Sequence, residues 1–303
     1  MSTRRLSHLA VGGAVLAAVA GAVASWAWPA SGAPGALTVE RGLVYDVADG
    51  APLHLDVYLP AHDRPVPAVV LVHGGGWVSG GRANYGVVAP AMARAGLVAV
   101  SVDYTLARGD RATFPLAAEE VLDAVAYVRH HAGAWGVDPG AIGMMGDSAG
   151  AHLALLAAVD PTLVRPAEPV EAVVGWSGPY DLVSWRPDVG VLSGTAAMLR
   201  NDMAAFVGCG GGVDSTPCVA EEMAASPDRV ARPGVPPALL VTSERYGPFC
   251  EIVDPIQTDL MANALRSVGG SVDVVHTGVC GHALGYTRSQ LAGTLAFLTH
   301  TLG

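Results

Sequence analysis

Ser148 stands between glycines in Gly146-Asp147-Ser148-Ala149-Gly150, where the apolar run Ile142-Gly143-Met144-Met145 gives way to a helical stretch, Ala149 to Val159. A serine on a strand-to-helix turn presents its hydroxyl clear of the sheet, and the flanking glycines relieve a backbone too tight for side chains. The chemistry such a hydroxyl performs is attack on a carbonyl carbon, which needs a base to take its proton and donors to hold the oxyanion. His73-Gly74-Gly75-Gly76-Trp77 follows directly on the run Ala68 to Val72. Glycines there let backbone amides turn towards a developing negative charge that side chains would obstruct. Gly75, Gly76 and Ala149, the residue after the serine, are the candidate donors. For the base, neutral histidine is the side chain tuned to proton transfer near neutral pH. His282, in Gly278-Val279-Cys280-Gly281-His282, follows a predicted strand and precedes the last helix. His276 on that strand, His152 on the helix after the serine and His73 at the head of the glycine run have packing or hydrogen-bonding explanations instead.

These residues need a frame that brings them to one edge. Leu37 to Val47 and Pro52 to Leu59 alternate apolar and polar residues around Asp49-Gly50, which predicts an antiparallel hairpin. Short continuous apolar runs follow at Ala68 to Val72, Leu97 to Val102, Ile142 to Met145, Val170 to Trp176, Ala238 to Val241 and Val272 to Val275. Such runs suit strands buried on both faces of a parallel sheet. Helical stretches lie between them at Ala83 to Ala95, Leu116 to His131, Ala149 to Val159, Pro255 to Val268 and Gly285 to Thr301. The alternation predicts an α/β fold, a doubly wound and mostly parallel sheet. Residues 178–237 break the rhythm with a glycine run, prolines and one helical piece near Thr195 to Val207. An insertion there, over the carboxyl ends of the strands, would form a lid or substrate wall above Ser148.

The glycine loop, the serine turn and the order of Val102-Asp103-Tyr104, Phe114-Pro115, Gly136-Val137-Asp138-Pro139 and Trp176-Ser177-Gly178-Pro179-Tyr180-Asp181-Leu182 resemble the carboxylesterase and lipase branch of the α/β-hydrolase superfamily, close to its hormone-sensitive-lipase-like and feruloyl-esterase-like members. The resemblance runs from about Leu37 to the carboxyl terminus. It implies hydrolysis of carboxylic esters through an acyl-enzyme on Ser148, with His282 as base and without metal or organic cofactor; a short acyl chain is the expectation for the substrate. It also implies a triad acid after the strand ending near Val241. The usual Asp-Pro-Leu is absent, and three carboxylates remain open: Glu251, four residues before Pro255; Asp254, placed where it could cap the next helix; and Glu244, almost still on the strand. Cys250 adjoins Glu251 and Cys280 lies two before His282, so a Cys250–Cys280 bridge would tie the acid loop to the base loop, and Cys209–Cys218 would close the glycine-rich loop between them. The same fold also hosts inactive binding proteins and serine peptidases, which stand as alternative functions.

The composition narrows the classes further. A net charge of −10 argues against a nucleic-acid partner. Every one of the 17 cationic residues is arginine, which removes Schiff-base lysines, Ser-Lys dyads and phosphate-binding P-loops. The cysteine spacings resemble no metal site, and there is no Cys-x-x-Cys. Arg4 and Arg5, the apolar run Leu9 to Ala24 and the small residues and prolines up to Ala36 make residues 1–36 a signal peptide or a membrane anchor, the one contact with a membrane the sequence offers. Residues 37–303 are then an exported hydrolase domain, secreted or held outside the cytoplasm, acting on a small ester. Its four cysteines, an even count, suit the oxidising compartment.

Overall fold

A computed structural model describes residues 37–109, 111–163, 169–185, 193–209 and 216–303; residues 1–36 lie outside the described residues. Eight strands form one sheet: β1 Thr38–Ala48, β2 Ala51–Leu59, β3 Val66–Val72, β4 Val98–Val102, β5 Val137–Asp147, β6 Ala172–Trp176, β7 Ala238–Ser243 and β8 Val272–Thr277. Their order is β1-β2-β4-β3-β5-β6-β7-β8. The β1–β2 and β2–β4 pairs are antiparallel and every later pair is parallel. The hairpin turns at Asp49 and Gly50, with φ of 49° and 77°; two positive φ values match the right-handed twist of the paired strands.

The helices are α1 Val88–Arg94, α2 Leu116–His130, α3 Ala132–Trp135, α4 Ala149–Val159, α5 Ser193–Val207, α6 Thr216–Ala224, α7 Pro227–Val230, α8 Ile256–Ser267 and α9 Thr287–Leu302. The expected helix from Ala83 to Ala95 is broken: a 3₁₀ turn, Arg82–Tyr85, precedes α1, and Gly86 lies between them. The 3₁₀ turn is held by Asp103, which accepts the Arg82 amide at 2.8 Å and pairs with its guanidinium.

Alternate residues of the central strands point to opposite layers, which is why those strands read as unbroken apolar runs. Ala68, Val70 and Val72 join Val121 and Val125 of α2, Leu153 of α4 and Leu265 of α8. Val69 and Leu71 join Met92 of α1 and Leu291 and Leu298 of α9. Each such valine, leucine or methionine contributes about 1.5–3 kcal/mol through burial.

No strand is described between β6 and β7; that interval carries α5, α6 and α7. It is fastened to the elements that hold the serine turn and the glycine loop. The Phe206 ring of α5 stacks on Trp77 with centroids 4.8 Å apart. Ala225, just past α6, accepts a hydrogen bond at 2.7 Å from Nε2 of His152 on α4. The Cys209–Cys218 bridge joins the end of α5 to α6.

Candidate active site

Ser148 occupies the tight turn between β5 and α4 at φ 51° and ψ −122°. A non-glycine residue there carries strain of about 1–3 kcal/mol, and its surroundings must hold it in place. Its amide donates to the Trp176 carbonyl at 2.7 Å, which clamps the turn to the end of β6. A side chain at Gly146 would collide with the Gly150 carbonyl, and one at Gly150 with the Val72 carbonyl, so both glycines are steric requirements.

Asp147 joins the serine turn to the glycine loop. Its Oδ1 accepts the Gly74 amide at 3.0 Å and faces the Tyr85 hydroxyl at 2.8 Å. Burial raises its pKa, against the opposing pull of the Tyr85 and Gly74 hydrogen bonds. With Gly74 so engaged, the next amides turn away: Gly75 has φ 124° and Gly76 φ 62°. Among the described residues nothing accepts the amide hydrogens of Gly75, Gly76 or Ala149. Three amides free of internal partners, beside a serine hydroxyl, are what an oxyanion requires.

His282 follows β8 and opens a second 3₁₀ turn, Ala283–Tyr286. Its Nε2 lies 2.9 Å from Ser148 Oγ and its Nδ1 2.5 Å from Glu251 Oε1. With Nδ1 protonated towards the carboxylate, Nε2 is free to accept the serine proton. Glu251 is fully buried. Burial alone would raise its pKa, yet the hydrogen bond and charge of His282, with hydrogen bonds from Ser177 and Tyr286, hold it below the ordinary glutamate value. Its Oε1 also accepts the Val253 amide at 3.1 Å. Its Oε2 takes the Ser177 hydroxyl at 2.6 Å and a very short bond from the Tyr286 hydroxyl. The other two carboxylates lie elsewhere: Asp254 Oδ1 accepts the Ile256 amide at 3.0 Å at the start of α8, and Glu244 is exposed. Cys250 and Cys280 are bridged, with Cα atoms 4.5 Å apart, so the loops carrying Glu251 and His282 are covalently joined.

The three other histidines weighed as base, His73, His152 and His276, have partners elsewhere. His73 is buried, stacks on Tyr104 with centroids 4.3 Å apart, and has its pKa lowered by burial. His152 is fully buried between Trp77 and Ala225, and burial takes its pKa down to about 4. His276 faces Asp259 at 3.0 Å. Three supporting residues carried no individual signal in the sequence: Tyr85, Ser177 and Tyr286. Ser177 sits inside a stretch that had marked the resemblance, at φ 54°, but its partners are 74 and 109 positions away.

The family described as BD-FAE matches residues 55–245. The chain belongs to the BD-FAE family. The match takes in the glycine loop and the serine turn and ends before Glu251 and His282. Among curated relatives, Esterase LipQ of Mycobacterium tuberculosis is 36% identical over 124 residues, 40% of this chain and 29% of LipQ. The chain spans about a third of the length of the curated relatives it matches. The hyperthermophilic esterase of Pyrobaculum calidifontis shares the fold at a TM-score of 0.68 and 28% identity, covering 87% of this chain and 85% of that one. Thermogutta terrifontis esterase 2 in its butyrate-bound structure gives a TM-score of 0.64 at 24% identity over 88% of this chain and 94% of its own, a likeness of fold.

Proposed function

We propose that this chain is a serine carboxylesterase that cleaves small carboxylic esters with short acyl groups through an acyl-enzyme on Ser148. The observation that carries the proposal is the hydrogen-bonded file Ser148–His282–Glu251, at 2.9 and 2.5 Å, beside the free amides of Gly75, Gly76 and Ala149. Ser148 Oγ attacks the ester carbonyl carbon while His282 Nε2 takes its proton. The carbonyl oxygen becomes an oxyanion held by the three amides. His282 returns the proton to the alcohol oxygen as the carbon–oxygen bond breaks, and a water repeats the sequence on the acyl-enzyme. Glu251 stays ionised throughout and stabilises the imidazolium.

The domain reading belongs to the same proposal: residues 37–303 form the catalytic domain, 178–237 cover the site as a cap, and 1–36 export or anchor the chain. The two bridges and the arginine-headed apolar segment support a place outside the cytoplasm, since disulfides persist in oxidising compartments. Among the described residues no helix is long and apolar enough to cross a membrane.

The test is turnover of p-nitrophenyl acetate, butyrate and longer esters by wild type and Ser148→Ala. Hydrolysis that falls by about a thousandfold or more in the variant is expected. Equal rates in the two proteins would reject the esterase and favour a binding protein of the same fold.

A further inference from the structure

Two carboxylates flank the glycine loop. Asp147, beneath it, is occupied by the Gly74 amide and the Tyr85 hydroxyl. Asp202, carried over it by α5, has no hydrogen-bond or ion-pair partner among the described residues. Its position is set by Gly76: a methyl group added there would lie 2.5 Å from Asp202 Oδ2 and 3.2 Å from Cγ, so the carboxylate rests directly against the Gly76 backbone. Gly76 is one of the residues whose amide has no acceptor among the described residues. A substrate whose carbonyl oxygen enters that loop therefore brings its neighbouring atoms close to Asp202. The side chain is partly exposed and so open to such contact. Burial pushes its pKa up to about 6, and no charged neighbour contributes.

An ionised carboxylate beside a developing oxyanion opposes the reaction unless something neutralises it, because two negative charges at short range repel strongly where water is excluded. The protein supplies no such group among its described residues. A bound ester can supply one. Resting on the esterase reading above, we propose that Asp202 is a specificity-determining residue whose carboxylate accepts a hydrogen bond from a hydroxyl or ammonium group carried by the substrate next to its ester. Plain alkyl esters leave the carboxylate uncompensated and are selected against, whereas hydroxylated or amino-bearing esters satisfy it. A site built to hydrogen-bond a substrate donor rejects the analogue that lacks it, because its own polar group is left unpaired.

The experiment compares kcat/KM near neutral pH within two matched series. On the alcohol side, propyl acetate is set against 2-hydroxyethyl acetate and 2-(dimethylamino)ethyl acetate. On the acyl side, methyl butyrate is set against methyl 3-hydroxybutyrate and methyl 4-(dimethylamino)butyrate. In Asp202→Ala the ratio of donor-bearing to plain ester is expected to fall about tenfold in at least one series. The side on which it falls locates the donor. The isosteric Asp202→Asn keeps an acceptor oxygen but no charge, so it should lose the ammonium preference and retain more of the hydroxyl preference. General damage to the fold slows both members of a pair and leaves the ratio alone. Ratios unchanged in both variants and both series would overturn the role of Asp202 while leaving the esterase intact. Absence of turnover above Ser148→Ala on every ester would reject the esterase, and this role with it.

Discussion

In the proposed triad Glu251 is the residue on which the site turns, because a carboxylate helps an imidazole only from a fixed position. Three donors besides His282 hold it: the Val253 amide, the Ser177 hydroxyl and the Tyr286 hydroxyl. Glu251→Gln should lower kcat by about 10³ to 10⁴ with little change in KM, since the amide preserves shape but neither fixes the tautomer nor stabilises the imidazolium. Asp254→Ala should leave kcat within about twofold and cost about 1 kcal/mol of stability through its helix-start hydrogen bond. The reverse pattern in steady-state kinetics would move the acid to Asp254. Acid sensitivity has a sign as well. Because the folded pKa of Glu251 lies below its ordinary value, its contribution to stability is complete above the ordinary glutamate range and is lost as the pH falls through the folded value. Thermal unfolding of Glu251→Gln should accordingly show a smaller loss of Tm on acidification than wild type.

At the scale of elements, the two bridges serve different neighbours. Cys250–Cys280 closes 30 residues and Cys209–Cys218 closes 9. The chain-entropy account gives about 3.6 kcal/mol for the first and about 2.6 kcal/mol for the second. Only the first joins the loops of Glu251 and His282. Replacing Cys250 and Cys280 together by serine should lower both Tm and kcat, whereas the Cys209 and Cys218 pair should lower Tm with a smaller effect on kcat; equal effects on kcat would refute this division. The short helix α7 holds a second test. Burial and the nearby Asp181 raise the Asp228 carboxyl to a pKa of about 7, Arg229 opposing. A carboxylate raised in the folded state destabilises the fold increasingly as the pH climbs from its unfolded value, about 3.9, to its folded one, and fully beyond. Asp228→Asn should raise Tm at pH 8 and lose that advantage near pH 4, as read by calorimetry at the two pH values.

At the scale of the whole sheet and its layers, the proposed esterase would divide catalysis and recognition between regions of different construction. The sheet and its two helical layers are closely packed, and they carry Ser148, the glycine loop and the strands that lead to Glu251 and His282. Loops at the ends of such strands can change chemistry without disturbing the core. The interval between β6 and β7 touches the site through Phe206, Ala225 and Asp202, so substitutions there should shift substrate preference before they abolish turnover. Expression of the full chain in a secreting host should yield protein outside the cytoplasm with both bridges formed, as read by mass spectrometry of non-reduced peptides. Retention in the cytoplasm would reject the export role of residues 1–36.

The sequence by itself determined the order and approximate place of the strands, though not the early start of β5 at Val137, together with the hairpin, the α4 boundaries, the serine turn and the glycine loop. These are local: a period of apolar residues or a glycine at a given step has the same steric meaning wherever the chain later goes. It singled out His282 as the candidate base because that residue sits at a strand end in a recognisable order. It left Glu251, Asp254 and Glu244 open, since all three share one loop and one charge. Only the tertiary structure separates them, by burying Glu251 against Ser177 after β6 and against His282 and Tyr286 of the turn after β8. Asp202 was invisible for the same reason. A carboxylate on a polar helix has no distinguishing mark until another element brings the Gly76 backbone against it. What a titratable side chain does depends on the charges, donors and water around it, and those are set by contacts between segments far apart in sequence.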